Sequence, residues 1–521
     1  MKLSSSNGAI RPPVGRILQL KPWYGLANRL RAIASGFALA NETRRRLVIY
    51  WFETDDCRAK WNDLFERSEA FDVIDVSPGD SAGVEAIFSS RNGAYFPSAK
   101  VEEFVEMCKD ESIAAVAHES FRHFHSRPTY EWLVPIAQIG REVDRVMHGG
   151  GLIGIHIRRA DNREAAFVSP TELFCRKIRM ISAERPSARF FLATDDPKEK
   201  QRLTDEFGGR VVTRDNLLER CSVEGMREAL TDLLLLSRCE SVYGTAWSSF
   251  SREAARIGKV CFTVLEDSTK IALTIVLKVA APDAHVRWCL ESLMKQWLWR
   301  IEVLCIFDEK AGPLRACVDE CARKDVRKRI RVADPAVRLL SQVRGKYVYF
   351  MESSSFATVD MSKQVFEIAE ARAADLILFR ADSFAGRREN DWTLARRMNA
   401  HIRRGTIAAW MHQKSMPWTC ARRMFRSAGN RLLRPYEVAF GLRWLEAFCP
   451  DATWAPDLGS ASARVCFLFK VLVQRRVHAG NVRDLEAALA VRDPLASLVR
   501  LAMRAVRLGC RISCKCRGKG R

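Results

Sequence analysis

The sequence predicts an α/β protein of several domains, and three observations predict it. Short apolar runs end in glycine or charged turns and lead into stretches that are apolar at helical spacing. That texture begins near residue 17, gains a second buried strand near residue 152 and restarts near residue 270. A chain of 521 residues is also too long for a single core. The expected divisions are 1–145, 146–268, 269–485 and a basic tail, 486–521.

The first element is a strand at Ile17–Leu20, followed by the turn Lys21-Pro-Trp-Tyr-Gly25 and by Asn28, Arg29 and Arg31. Ala32–Ala40 is small and apolar at helical spacing, and Arg46–Trp51 reads as the next strand. Strand, glycine turn, helix, strand is a Rossmann-type opening, although one glycine turn is weak evidence for a nucleotide. Asn28 and Arg29 are expected to face a cleft; the alternative for Asn28 is a helix cap.

Further strands are expected at Phe71–Val76 and Ile113–Ala117. His118, His123 and His125 follow closely, but their spacing matches no zinc site and no cysteine pair accompanies them. A cleft-lining loop is the preferred reading, with no metal expected.

The rest of the chain is organised around Gly154-Ile-His-Ile-Arg-Arg-Ala-Asp-Asn-Arg-Glu-Ala-Ala-Phe167. Leu152, Ile153, Ile155 and Ile157 form the apolar run of an interior parallel strand. His156, Arg158, Arg159, Asp161, Arg163 and Glu164 crowd its C-terminal end, where an open α/β sheet places its ligand crevice. Adjacent arginines there either meet an anion, for which guanidinium forks suit phosphate, or form local ion pairs at a solvated strand end. Spacing alone leaves both readings open.

Phe174–Ala183 reads as a helix, and Arg189–Thr194 as a buried strand running into Asp195-Asp196-Pro197 and a charged helix. These aspartates are expected to cap that helix and hold arginines. Ala229-Leu-Thr-Asp232 through Ser237 reads as a buried helix, followed by a short strand and the turn Gly244-Thr-Ala-Trp-Ser248-Ser249 opening a helix. Backbone N–H groups and hydroxyls at such a helix start form an anion site.

His156-Ile-Arg158-Arg159, followed by Glu164-Ala-Ala-Phe167, resembles the motif of GT-B fucosyltransferases, most closely the α-1,6 type. The likeness spans roughly residues 15 to 265 and is carried by three motifs in order. The opening turn is similar to the Gly-x-Gly-Asn-Arg of many sugar transferases, with Ala27 in place of a glycine. Trp247 stands where the family has a small polar residue. The resemblance implies two Rossmann-like halves of a GT-B fold and inverting transfer of fucose from GDP-fucose to a glycan hydroxyl. It implies no cofactor and no metal. Arg158 would stabilise the departing diphosphate, with Arg159 and His156 in support. Glu164 would act as the base, with Asp161 in reserve. Asp232 would bind the guanine; Ser248 and Ser249 would hold the diphosphate, and Asn28 and Arg29 would line the substrate cleft.

Ile271–Leu277, Val286–Trp297 and Ile301–Ile306 alternate strand, helix and strand, and Arg344-Gly-Lys-Tyr-Val-Tyr-Phe350 leads into Met351-Glu352-Ser-Ser-Ser355. This resembles a family-2-type GT-A glycosyltransferase domain that has lost its Asp-x-Asp metal site. One glutamate with three serines is a poor divalent-cation site. Phe307-Asp-Glu-Lys310 replaces the family's paired aspartates, and Tyr436-Glu437-Val438 is the nearest match to its base. A relic that binds or scaffolds is the expectation. The Trp and Arg content between Trp392 and Trp444 reads either as a carbohydrate groove or as core tryptophans beside solvated arginines.

In the tail, Asp493-Pro494 precedes Leu495, Leu498, Leu501, Ala505 and Leu508 on one helix side, with Arg500, Arg504, Arg507 and Arg511 on another. A basic amphipathic helix either meets a membrane surface or packs on the preceding domain. The net charge of +22 favours anionic partners: sugar nucleotides, lipid headgroups, acidic polymers or nucleic acid. No nucleic-acid-binding signature accompanies it. Sixteen scattered cysteines, the lack of a signal-like start and the lack of a long apolar window lead to the expectation of a cytoplasmic bacterial enzyme. Its partners would be a sugar nucleotide and a glycan or lipid-linked glycan acceptor, with peripheral membrane contact through the tail. The alternatives are a non-catalytic carbohydrate- or polymer-binding protein and a transferase using another sugar nucleotide.

Overall fold

A computed structural model of the chain describes residues 16–77, 113–118, 128–160, 162–215, 221–280, 285–384, 416–417, 436–441 and 464–476. The chain divides into two compact units at Asp267/Ser268. Asp161, the loop after His118, most of the stretch 392–444 and the tail helix lie outside the described residues.

The first unit is built on two parallel sheets. In the first, β1 (Ile17–Pro22) pairs with β2 (Arg46–Phe52) and with β4 (Ile113–His118), and β3 (Phe71–Val76) lies beyond β2. The order β3-β2-β1-β4 reverses direction between β1 and β4. Helix α1 (Leu26–Glu42) crosses back from β1 to β2 and is buried over most of its length. It has to be: Leu26, Leu30, Ile33 and Leu39 pack into the same apolar cluster as Leu18, Leu20 and Trp51, and such burial is the main force holding helix to sheet.

The second sheet has the order β7-β6-β5-β8-β9. Its central strand β5 (Leu152–Ile157) is completely buried, flanked by β6 (Arg189–Thr194) and β8 (Ser241–Thr245), with β7 (Val211–Val212) and β9 (Cys261–Leu265) at the edges. A buried strand on both faces explains the unbroken apolar run in the sequence. The chain moves from β5 to β6 and β7, then returns to β8 on the other side of β5. The crevice of an open α/β sheet lies at that reversal. Here it falls between the C-terminal ends of β5 and β8.

Helices α2 (Ala137–Met147), α3 (Arg163–Val168), α4 (Thr171–Glu184), α5 (Pro197–Phe207), α6 (Val223–Ser237) and α7 (Ser249–Gly258) complete the described part of this unit. Leu230, Leu233 and Leu236 of α6 and Ile139 and Val143 of α2 belong to the same core cluster as α1 and Trp51, so the two sheets share apolar packing. Glycine makes the tight crossing of α6 and α7: a Cβ on Gly258 would lie 1.7 Å from the Ser237 carbonyl oxygen.

The second unit is a mixed α/β sheet. Strands β10 (Ile271–Val279), β11 (Ile301–Phe307), β12 (Ile330–Val332) and β13 (Gly345–Glu352) are parallel, in the order β12-β11-β10-β13. Beyond β13 lies β15 (Tyr436–Gly441), antiparallel to β13 and to β14 (Leu376–Phe384). Helix α8 (Val286–Met294) is shorter than the expected Val286–Trp297; the chain turns after Met294, and the Trp297 N–H bonds the Val359 carbonyl instead. Buried Glu302 anchors this sheet, accepting from the Thr274 hydroxyl at 2.7 Å and from the Arg331 and Arg344 guanidinium Nε atoms at 2.9 and 2.8 Å. Among the described residues no helix is long and apolar enough to cross a membrane.

Candidate functional site

Of the sequence-predicted site residues of the second sheet, His156 and Ser248 meet at the C-terminal ends of β5 and β8. His156 is the penultimate residue of β5, opposite Gly244 in register, and its ring is buried and stacked on Phe250 at 5.1 Å. Its Nδ1 lies 3.5 Å from the Ser248 hydroxyl. Ser248 is the N-cap of α7, but its side chain bonds no backbone N–H of that helix. Ser249 is the first helical residue and is half-buried.

Thr245, at the end of β8, ties the crevice together. Its hydroxyl donates to the His156 carbonyl and accepts from the Arg158 backbone N–H, both at 3.1 Å. The Ala246 N–H bonds the Ser169 hydroxyl at 3.0 Å. Trp247 follows with φ +53, a left-handed backbone that is an outlier for a bulky side chain.

The two arginines part company. Consecutive residues leaving a strand point to opposite sides, and the structure uses one of them internally. Arg159 donates to the Arg158 and Ser169 carbonyls and to the Thr171 hydroxyl, each at 2.9 Å, and lies 3.5 Å from the Glu199 carboxylate. Burial lowers its pKa, against the pull of Glu199. The expected supporting role of Arg159 at an anion is therefore corrected: its guanidinium is a strut inside the loop. Arg158 is half-buried, with its backbone fixed by Thr245. Asp195 and Asp196 behave as the sequence implies. Asp195 accepts from the Arg159 backbone N–H at 2.6 Å, and Asp196 caps α5 through the Lys198 N–H at 2.8 Å.

Glu164 lies half-buried in the first turn of α3, a helix capped by the Asn162 side chain on the Ala165 N–H at 2.9 Å. Lys177 sits 4.9 Å over the Tyr243 ring.

Asp232 is buried on α6. It accepts from Arg214 at 2.9 Å, and Arg214 also meets Glu142 at 3.2 Å and Glu228 at 2.5 Å. Burial pushes the Asp232 carboxyl up to about 6, although the Arg214 charge pulls it down. The Glu142 carboxyl is held down at about 2 by hydrogen bonds from Arg145 and Arg214.

The first sheet corrects a second expectation. Arg29 does not face a cleft: it is 0% exposed. Its fork is consumed by the Tyr24 carbonyl at 2.7 Å, the Phe52 carbonyl at 2.5 Å and the Thr54 hydroxyl at 2.8 Å, and it lies 4.7 Å over the Trp51 ring. A buried arginine is stable only when its donors are met, and the loop ends of β1 and β2 supply the acceptors. Asn28 is not the helix cap either; Gly25 occupies that position. The Asn28 Oδ1 atom is buried without a hydrogen-bond partner.

Sequence reasoning missed Thr245, Ser169, Arg214 and Glu253. A hydroxyl at the end of a central strand was the only available signal, for Thr245; nothing local marks Arg214, whose partners come from α2 and α6. In the second unit the Glu352–Ser355 stretch is partly spent on backbone: the Ser353 hydroxyl accepts from the Ala280 N–H at 3.4 Å. Glu437 lies within β15, paired in register with Phe379.

Fold and site together define an α/β protein whose first unit carries two parallel sheets, with His156 and the Thr245 and Ser248 hydroxyls gathered at a strand-order reversal. No family model matches the sequence, and no curated protein matches it. Among solved structures it is similar to fucosyltransferase NodZ from Bradyrhizobium, with 20% identity and a TM-score of 0.34 over 46% of this chain and 92% of that one. NodZ alpha-1,6-fucosyltransferase soaked with GDP-fucose aligns at 18% identity and TM-score 0.33, over 47% and 92%. TarS of S. aureus, residues 1–349 with UDP-GlcNAc, aligns at 15% and 0.28, over 40% and 60%. At these scores the likeness is partial, and nothing about donor or acceptor follows from it.

Proposed function

We propose that the first unit is a glycosyltransferase that moves fucose from GDP-fucose to a glycan hydroxyl with inversion and without a metal, in the synthesis of a bacterial surface glycan. One observation carries the reading: the Arg158 loop and the Thr245–Ser249 turn, far apart in sequence, are joined by the Thr245 hydroxyl at the reversal between β5 and β8. Phosphate groups favour the start of a helix, where backbone N–H groups are offered, and in this reading the Arg158 guanidinium joins those of α7. Arg158 stabilises charge growing on the leaving diphosphate, the role a preorganised cation plays best in a crevice with limited water. Glu164 takes the acceptor proton, a contribution on the order of 10²- to 10⁴-fold. The second unit, in this reading, scaffolds or binds glycan, because its Glu352–Ser355 stretch offers one carboxylate.

The engagement of Asp232 by Arg214 favours a second reading, a transferase on the same frame that uses another sugar nucleotide. A guanine would have to compete with a buried guanidinium for that carboxylate. Thermal shifts of the full chain with GDP, UDP, ADP and CDP separate the two. A shift with GDP that is lost in Arg158→Ala supports the first reading, and a shift with another diphosphate alone supports the second. No shift with any of them, in a folded protein, leaves only a non-catalytic binder. Release of fucose from GDP-fucose by wild type but not by Glu164→Ala tests the base.

A further inference from the structure

Glu253 takes no part in the chemistry just described, yet it is the most completely enclosed carboxylate of the first unit's inter-sheet junction, 0% exposed on α7. One oxygen accepts from the Arg31 Nε at 2.8 Å, where the Arg31 side chain is 2% exposed. The other accepts from the Tyr130 hydroxyl. Burial, then the Glu253 charge, raises the Tyr130 pKa, so the phenol stays a donor. Arg31 belongs to α1 of the first sheet and Tyr130 to the segment entering α2, while Glu253 belongs to the second sheet. The three are therefore a polar joint between sheets, beside the apolar packing that the sheets share.

Each side of that joint is rigid. Helix α7 is packed at two points where no Cβ fits: against its sheet at Gly244, whose added Cβ would lie 2.4 Å from the Ser251 hydroxyl, and against α6 at Gly258, beside Ser237. Helix α1 is bound to its sheet by the three hydrogen bonds of Arg29. Apolar packing between the sheets is non-directional; a carboxylate with two fixed donors is not, since hydrogen bonds weaken steeply with angle. On α7, Ser249 stands one turn before Glu253, on the same face. On α1, Asn28, with its unpartnered Oδ1, stands one turn before Arg31.

We propose that Glu253 is a positioning residue: with Arg31 and Tyr130 it sets the register between the two sheets, and so the placement of the Thr245–Ser249 turn opposite the first sheet. This rests on the nucleotide-binding reading of that turn. A purely structural ion pair makes a different prediction, because replacing both members of a buried pair by apolar residues commonly restores stability. The test uses the full chain as wild type, Tyr130→Phe, Glu253→Gln and the double variant Arg31→Met/Glu253→Leu. Affinity for the nucleoside diphosphate that wild type binds best, among GDP, UDP, ADP and CDP, is measured by calorimetry beside the unfolding midpoint. The expected result is that the double variant unfolds at or near the wild-type temperature and binds about tenfold or more weakly, as misplacement of a site on the order of an ångström does. Tyr130→Phe, which keeps the ion pair, should show a smaller loss of affinity. Should the double variant bind as tightly as wild type, the positioning role is overturned while the nucleotide reading stands. Should wild type bind none of the four, the nucleotide reading fails and this role falls with it. A double variant that fails to fold passes the decision to Tyr130→Phe and Glu253→Gln, where unchanged affinity in both overturns the proposal.

Discussion

The hydroxyl of Thr245 holds the backbone of Arg158: it accepts from the Arg158 N–H at 3.1 Å while donating to the carbonyl of His156. A single buried side chain thus closes the gap between two strands that no backbone ladder bridges beyond His156. Thr245→Val keeps the shape and removes both bonds. It should cost about 1–3 kcal/mol of stability and weaken nucleotide binding, whereas Thr245→Ser should retain most of both. Chemical unfolding and calorimetry on the two variants check this.

Arg158 and Arg159 should give opposite phenotypes. Arg159→Ala removes the ion pair with Glu199 and the guanidinium bonds to the Arg158 and Ser169 carbonyls, and is expected to destabilise the protein by about 2–4 kcal/mol. Arg158→Ala should abolish the nucleotide-dependent thermal shift. A shift retained in that variant would contradict the role proposed for its guanidinium.

Asp232 predicts a pH dependence of stability. Its carboxyl is raised from the ordinary 3.8 to about 6 in the folded protein, so between those values the folded state holds more protons than the unfolded chain. The stabilising contribution is complete below about pH 4 and is lost as pH rises through about 6. Glu142, held at about 2, works the other way and loses its contribution as pH falls through that value. Asp232→Asn should therefore flatten the decline in stability between pH 4 and 6, as read by denaturant titrations at several pH values. An unchanged slope would place the effect elsewhere.

Two glycines separate close packing from mere tolerance. Gly258→Ala puts a methyl group 1.7 Å from the Ser237 carbonyl oxygen and should cost more than about 3 kcal/mol, since backbone must move. Gly140→Ala, within α2 and with nothing inside 4 Å of the added Cβ, should stabilise by about 0.5–1 kcal/mol. Thermal unfolding of both variants checks the pair.

Much of the fold was legible because strands and helices are written in local periodicity. Phe71–Val76 is a strand over the very residues expected, and Asp196-Pro197 announced the start of α5 through a cap and a proline at its first position. Arg29 was misread for an equally physical reason. A guanidinium next to a glycine turn has the same sequence signature whether it greets a ligand or fills the loop ends of β1 and β2. Only the positions of the Tyr24 and Phe52 carbonyls, set by tertiary packing, distinguish the cases.

Taken by itself, the amino-acid order determined the succession of elements, the buried central strand and the gathering of charge at its end, since each of these depends on neighbours within a few residues. Tertiary structure alone decided which of two adjacent arginines is spent inside the loop, that Asp232 is held by Arg214, and that Glu253 meets an arginine 222 residues away. Such pairings depend on where distant chain segments come to rest when apolar surface is buried, and no local pattern carries that information.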